Sequence, residues 1–124
     1  MHVLIADDDP TLRLLLEAAF RKDGWQVSQA SDAVQAVMMA GRAPQPDLIL
    51  LDLNMPAGSG MKALERIRLS TRTKGIPVVV VSGALAEYGM RERAEELKVW
   101  ALVEKPVDPD ALVEQARDAT GFSR

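Results

Sequence analysis

Three short, unbroken apolar runs set the tightest limit on what this chain can become: Val3-Leu4-Ile5-Ala6, Leu48-Ile49-Leu50-Leu51 and Val78-Val79-Val80-Val81. Each is bounded by turn or acidic residues, and none has a polar position that could face water. A strand of that kind must be covered on both faces, which is the condition of a parallel sheet with helical crossovers. Trp25-Gln26-Val27-Ser28-Gln29-Ala30 alternates more and reads as an edge strand, with Val99 to Val103 as a weaker fifth. Helical spacing fills the intervals: Pro10 to Lys22 (Leu12, Leu15, Leu16, Ala19, Phe20), Asp32 to Arg42, Ser59 to Ser70, Ala86 to Leu97 and Pro109 to Ala119. The alternation predicts an α/β fold, a three-layer, doubly wound, five-stranded parallel sheet with right-handed crossovers.

A chain of 124 residues, 48% hydrophobic and 27% charged, is the size of one domain and predicts a single core over residues 1–124. It needs no disulfide or structural metal to fold. The absence of cysteine removes zinc-thiolate sites, iron-sulfur clusters and thiol catalysis. A single histidine, His2, leaves no His-based triad. Fifteen basic against 18 acidic residues, net −3, give no electrostatic footprint for nucleic acid. No apolar run is long enough to span a membrane, and the start lacks the pattern of a signal peptide, so a cytoplasmic location is expected.

In an open parallel sheet, chemistry gathers where the strands end. The first strand runs into Asp7-Asp8-Asp9-Pro10. Asp9, followed by proline, suits a helix N-cap. Asp7 and Asp8 are not explained by capping; adjacent carboxylates repel, and either a hard divalent cation offsets that or the loop is simply solvated. Asp52 ends the third strand, as a turn cap or as a nucleophile able to accept a phosphoryl group. Ser82 closes the fourth strand, either to donate to an anionic oxygen or to cap the next helix. Lys105, before Pro106, follows the fifth, as a cation for a phosphate or as ordinary surface. Each signal is weak alone, but all fall on one edge of one sheet.

Leu-Ile-Ala-Asp-Asp-Asp-Pro, Leu-Ile-Leu-Leu-Asp-Leu-Asn-Met-Pro, Val-Val-Val-Val-Ser-Gly-Ala and Glu-Lys-Pro-Val-Asp-Pro together resemble the receiver domains of two-component response regulators. The resemblance runs through essentially the whole chain. It implies a flavodoxin-like fold with strand order 2-1-3-4-5. It also implies Asp52 as phosphoacceptor, with Mg2+ held by Asp7, Asp8, Asp52 and the backbone carbonyl of Asn54. Ser82 would be the switch hydroxyl and Lys105 the cation on the phosphoryl group. The implied partners are a histidine kinase or histidine phosphotransfer protein, and a downstream protein or fused output domain met through the fourth helix, fifth strand and fifth helix; a homodimer is an alternative. Asn54 and Ala84 stand where the family tunes hydrolysis of the phosphoryl group. Gly89, inside the expected fourth helix, would weaken it by about 1 kcal/mol relative to alanine. One departure is Leu102, where the family usually has Tyr or Phe; Trp100, two residues earlier and on the same face, is expected either to cover the region of Tyr88 and Met90 or to anchor a partner.

Two other readings compete: a pseudo-receiver that only binds proteins, and an aspartate-nucleophile phosphatase. Retention of every acidic, hydroxyl and lysine position opposes the first. Asn54, where such a phosphatase needs a second aspartate, opposes the second. The chain is expected to be either a stand-alone receiver or the front of a longer regulator.

Overall fold

The computed structural model describes residues 1–55, 59–83 and 89–123. Its elements alternate as β1 (His2–Ala6), α1 (Pro10–Lys22), β2 (Gln26–Ala30), α2 (Ala33–Gly41), β3 (Leu48–Leu51), α3 (Gly60–Leu69), β4 (Val78–Ser82), α4 (Met90–Glu96), β5 (Ala101–Glu104) and α5 (Pro109–Thr120). The strands form one parallel sheet in the order β2-β1-β3-β4-β5, as the resemblance implied.

The apolar runs are central because they have two faces to bury. Leu4, Ala6, Ile49, Leu51, Val78 and Val80 pack with Ala33, Ala36 and Ala40 of α2, Ala63, Leu64 and Ile67 of α3 and Ala94 of α4. The alternate residues Val3, Ile5, Leu48, Leu50, Val79 and Val81 pack with Leu16 and Phe20 of α1 and Leu112, Val113 and Ala116 of α5. Each fully buried Leu, Ile, Val or Phe contributes about 1.5–3 kcal/mol.

Capping chemistry fixes the helix starts on the side where the strands end. The Asp9 carboxylate accepts from the Thr11 and Leu12 amides at 2.9 and 3.3 Å, and Pro10 supplies the fixed φ of a first helical residue. Asp32 caps α2 through the Gln35 amide, and Asp108 caps α5 ahead of Pro109. Two expectations shift. The fifth strand begins at Ala101, not Val99, and ends at Glu104. Helix α4 begins at Met90; Gly89 is its N-cap with φ +78°, so it occupies a left-handed position that suits glycine and is no weak point inside the helix. Ala86 to Tyr88, expected in that helix, lie outside the described residues.

Candidate functional site

The sheet register brings the site together. The ladder continues beyond β1 and β3: the Asp7 amide donates to Ala30 O at 3.1 Å and the Asp52 amide to Ala6 O at 2.9 Å. Asp7 and Asp52 therefore end neighbouring strands on the same edge. Ser82 is the last residue of β4, pairs with Glu104 and accepts through its carbonyl the Lys105 amide at 3.2 Å. Lys105 is carried back toward the middle of the edge, where its Nζ lies 2.8 Å from Asp7 Oδ2 and 3.2 Å from Asp52 Oδ2.

Asp7 and Asp52 are buried, whereas Asp8 is exposed. One carboxylate oxygen from each of the three lies within 4.8 Å of the others. Each buried carboxylate is also held by an amide two residues on: Asp9 N donates to Asp7 Oδ1 at 2.9 Å, and Asn54 N to Asp52 Oδ1 at 3.0 Å. Those bonds aim the remaining oxygens toward Lys105 and the opening. Helix α3 starts hard against this loop. A Cβ on Gly60 would fall 2.6 Å from Leu53 Cα and closer still to the Asp52 carbonyl oxygen, so only glycine lets the helix approach.

Burial is the main force raising the Asp7 carboxyl above its usual range, with the Asp52 charge acting in the same direction; the Lys105 bond and the Asp9 amide oppose them. Burial also works against the Lys105 charge, but its bond to Asp7 and the charges of Asp52 and Asp7 outweigh it, so the ammonium is held above its ordinary value. A carboxyl raised on folding binds its proton more tightly in the native state. Stability is therefore lost as pH rises from the unfolded value near 3.8 through the raised native one, and the penalty persists at pH 7. In protein stripped of divalent cations, Asp7→Asn should accordingly be more stable than the parent at pH 7, by on the order of 1 kcal/mol. The advantage should shrink as the pH falls toward 4. Urea denaturation across that range checks it; a variant less stable at pH 7 would remove burial as the dominant cause.

A pocket of hard oxygen donors with one exposed member fits a small divalent cation that keeps several waters. The chain matches the response regulator receiver domain family over residues 3–117, and it belongs to that family. Its place in two-component signalling follows: it is a phosphoaccepting signalling switch and not a conventional enzyme. Among its relatives, sporulation initiation phosphotransferase F of Bacillus subtilis is 33% identical over 110 residues, 89% of this chain and 86% of that one. Protein PilH of Pseudomonas aeruginosa is 33% identical over 116 residues, 90% and 91% of the two chains. The receiver domain of the sensor histidine kinase PA1611 of Pseudomonas aeruginosa, solved with a magnesium ion coordinated in its active-site cleft, superposes with a TM-score of 0.86 at 26% identity over 98% of both chains.

Asp7, Asp8, Asp52 and Lys105 meet as the sequence suggested, and Asp9 is a cap. Ser82 is wholly buried at the same edge. Ala84 lies outside the described residues. Trp100 sits elsewhere: its amide donates to Val78 O at 2.7 Å, at the start of β4, so the indole stands at the opposite edge of the sheet from Asp52. Arg13 was not anticipated. Its guanidinium donates to the Asp7 carbonyl at 2.7 Å and to Gln29 Oε1 at 2.9 Å, tying α1 to the acidic turn. On an amphipathic helix an arginine reads as solvated, and no sequence signal separates this one from others.

Proposed function

We propose that Asp52 accepts a phosphoryl group from a phosphohistidine on a histidine kinase or histidine phosphotransfer protein, within one receiver domain spanning residues 1–124. The observation that carries this reading is the Lys105 ammonium bridging two buried carboxylates at the open edge of the sheet. An Asp52 oxygen forms the new P–O bond as the P–N bond breaks. The imidazole nitrogen leaves with the electron pair and regains a proton from solvent. Lys105 then faces the added phosphoryl oxygens in place of the lost carboxylate charge. The Ser82 hydroxyl, on the neighbouring strand, turns toward the same oxygens, and that movement favours the active state.

Asp7, Asp8, Asp52 and the Asn54 carbonyl are the residues for Mg2+. When bound, the ion neutralises charge on the transferred group.

A groove of about 460 Å3 beside Lys105, lined by Leu12, Leu15, Pro106 and Val107, supports docking of the donor over α1. Leu15 is more than half exposed there. The α4, β5 and α5 face is proposed for the downstream partner, and a cytoplasmic location accords with the whole reading. Among the described residues no helix is long and apolar enough to cross a membrane.

A Mg2+ titration followed by NMR tests the ligand set. Asp8→Ala should abolish binding, and Asp9→Ala should weaken it far less while costing about 1 kcal/mol of helix stability. Beryllofluoride added to the loaded protein should then shift residues of α4 and β5. Equal effects of the two substitutions would sink the metal assignment, and shifts confined to the acidic edge would sink the output face.

A further inference from the structure

At the sheet edge remote from the carboxylates, the turn joining α4 to β5 and the segment entering β4 enclose a groove of about 300 Å3. Arg68, Lys74, Pro77, Lys98, Val99 and Trp100 line it. It holds three cations and no carboxylate, on a chain whose net charge is −3. Lys74 and Lys98 are exposed and form no ion pair among the described residues.

Arg68 is fixed in place by carbonyls alone. Its Nε donates to Leu97 O at 2.7 Å, and its terminal nitrogens to Ile76 O at 2.8 Å, Lys74 O at 3.2 Å and Lys98 O at 3.3 Å. These bonds occupy four of the five N–H donors and hold the planar group rigidly, but they bring no counter-charge. Burial accordingly pushes the guanidinium below its ordinary value. Against this basic floor stands Trp100, 52% exposed, while the other tryptophan, Trp25, is buried at 3%. A half-exposed indole in a concave, cationic setting offers a flat stacking face beside unpaired positive charge.

We infer that this groove binds a nucleoside phosphate, the base stacked on Trp100 and the phosphate facing Lys74 and Lys98 over the fixed Arg68. An inorganic anion would leave the indole bare, and an uncharged ring would leave the cations without a counter-charge; a ligand with both parts answers both. The groove is at the small end of ligand pockets, which suits one nucleotide. An extended nucleic acid strand is disfavoured, because beyond the groove it would meet a chain of net negative charge.

The test is a titration of the full chain with adenosine monophosphate, without divalent cations, followed in 15N–1H spectra. Adenosine, inorganic phosphate and a short oligoadenylate form separate arms. The expected result is saturable movement of the Trp100 indole N–H and the Gly75 and Lys98 amides, with the acidic edge unmoved. Adenosine alone and phosphate alone should each bind weaker by about tenfold or more. Trp100→Ala and the Lys74→Glu, Lys98→Glu pair should each weaken the nucleotide by about tenfold, and unchanged signals elsewhere would show that these surface variants fold. No movement at Trp100, equal binding of phosphate alone, or unaltered affinity in both variants would overturn the site. Tighter binding of the oligoadenylate than of the mononucleotide would overturn the choice of ligand.

Discussion

Asp52→Asn protein should take up no phosphoryl group from a small phosphodonor in Mg2+, while the parent chain gains one group per molecule, read by intact mass. Few substitutions separate nucleophilicity from shape so cleanly. Asparagine keeps the volume, and its carbonyl oxygen can still accept the Asn54 amide that now bonds Asp52 Oδ1. What disappears is the anionic oxygen 3.2 Å from Lys105, the only one of the buried pair not also beside the α1 cap. An adduct surviving in this variant would move the nucleophile elsewhere, with Asp7 the first alternative. Two further variants divide the reaction into parts. Lys105→Ala should keep the adduct and lose the downstream response. Leu15→Glu should label normally from the small donor yet about tenfold more slowly from a protein donor, because it places a charge on the exposed apolar face of α1 and leaves the carboxylates untouched.

Gly60→Ala should be the most damaging single methyl group in the protein. The atoms that the new Cβ meets are the Asp52 carbonyl oxygen, the Asp52 carbonyl carbon and Leu53 Cα, all main chain, and none can rotate away as a side chain would. Relief requires α3 to retreat, and α3 is anchored by buried Ala63, Leu64 and Ile67. The cost is expected at about 3 kcal/mol or more, above the usual range for an overpacked methylene because the backbone itself is the obstacle. For a domain of this size that is a fall of roughly 10 °C in melting temperature. Thermal denaturation by circular dichroism reads the stability, and phosphodonor labelling reads the site, since any retreat of α3 also moves the loop holding Asp52. A melting temperature within about 2 °C of the parent would mean that α3 yields more easily than its packing implies.

Much of this was legible in the chain because the informative residues are local. Apolar runs with no wet face can only be interior strands, and Asp-Pro at positions 9–10 and 108–109 can be read as helix starts without any tertiary knowledge. Charged groups at strand ends were also legible, since parallel strands send their ends to one edge. Other features were hidden because they depend on distance between remote segments. Gly60 carries no mark distinguishing a close approach from a turn. Arg68 reads as one more basic residue on the wet side of α3 until the carbonyls of Leu97 and Lys98, some 30 positions on, are seen to converge on it. Trp100 stands one residue ahead of β5, which begins at Ala101, so alternation along the strand does not fix where its indole goes. Gly89 likewise looked like a flaw within a helix, when it is the residue that starts one.

The contact between Asp23 and Arg117 has a bearing on synthesis. It spans 94 positions and joins the exit of α1 to the last helix, where Asp23 also accepts the Trp25 indole N–H at 3.1 Å. Val3, Ile5, Phe20 and Trp25 thus leave the ribosome well ahead of their cover of Leu112, Val113 and Ala116. Until α5 emerges, one side of the nascent sheet is greasy and open, and the domain reaches its native state only once that helix is out. A chain interrupted before α5 would be a target for chaperones and proteases, and the cell would receive either a finished switch or none.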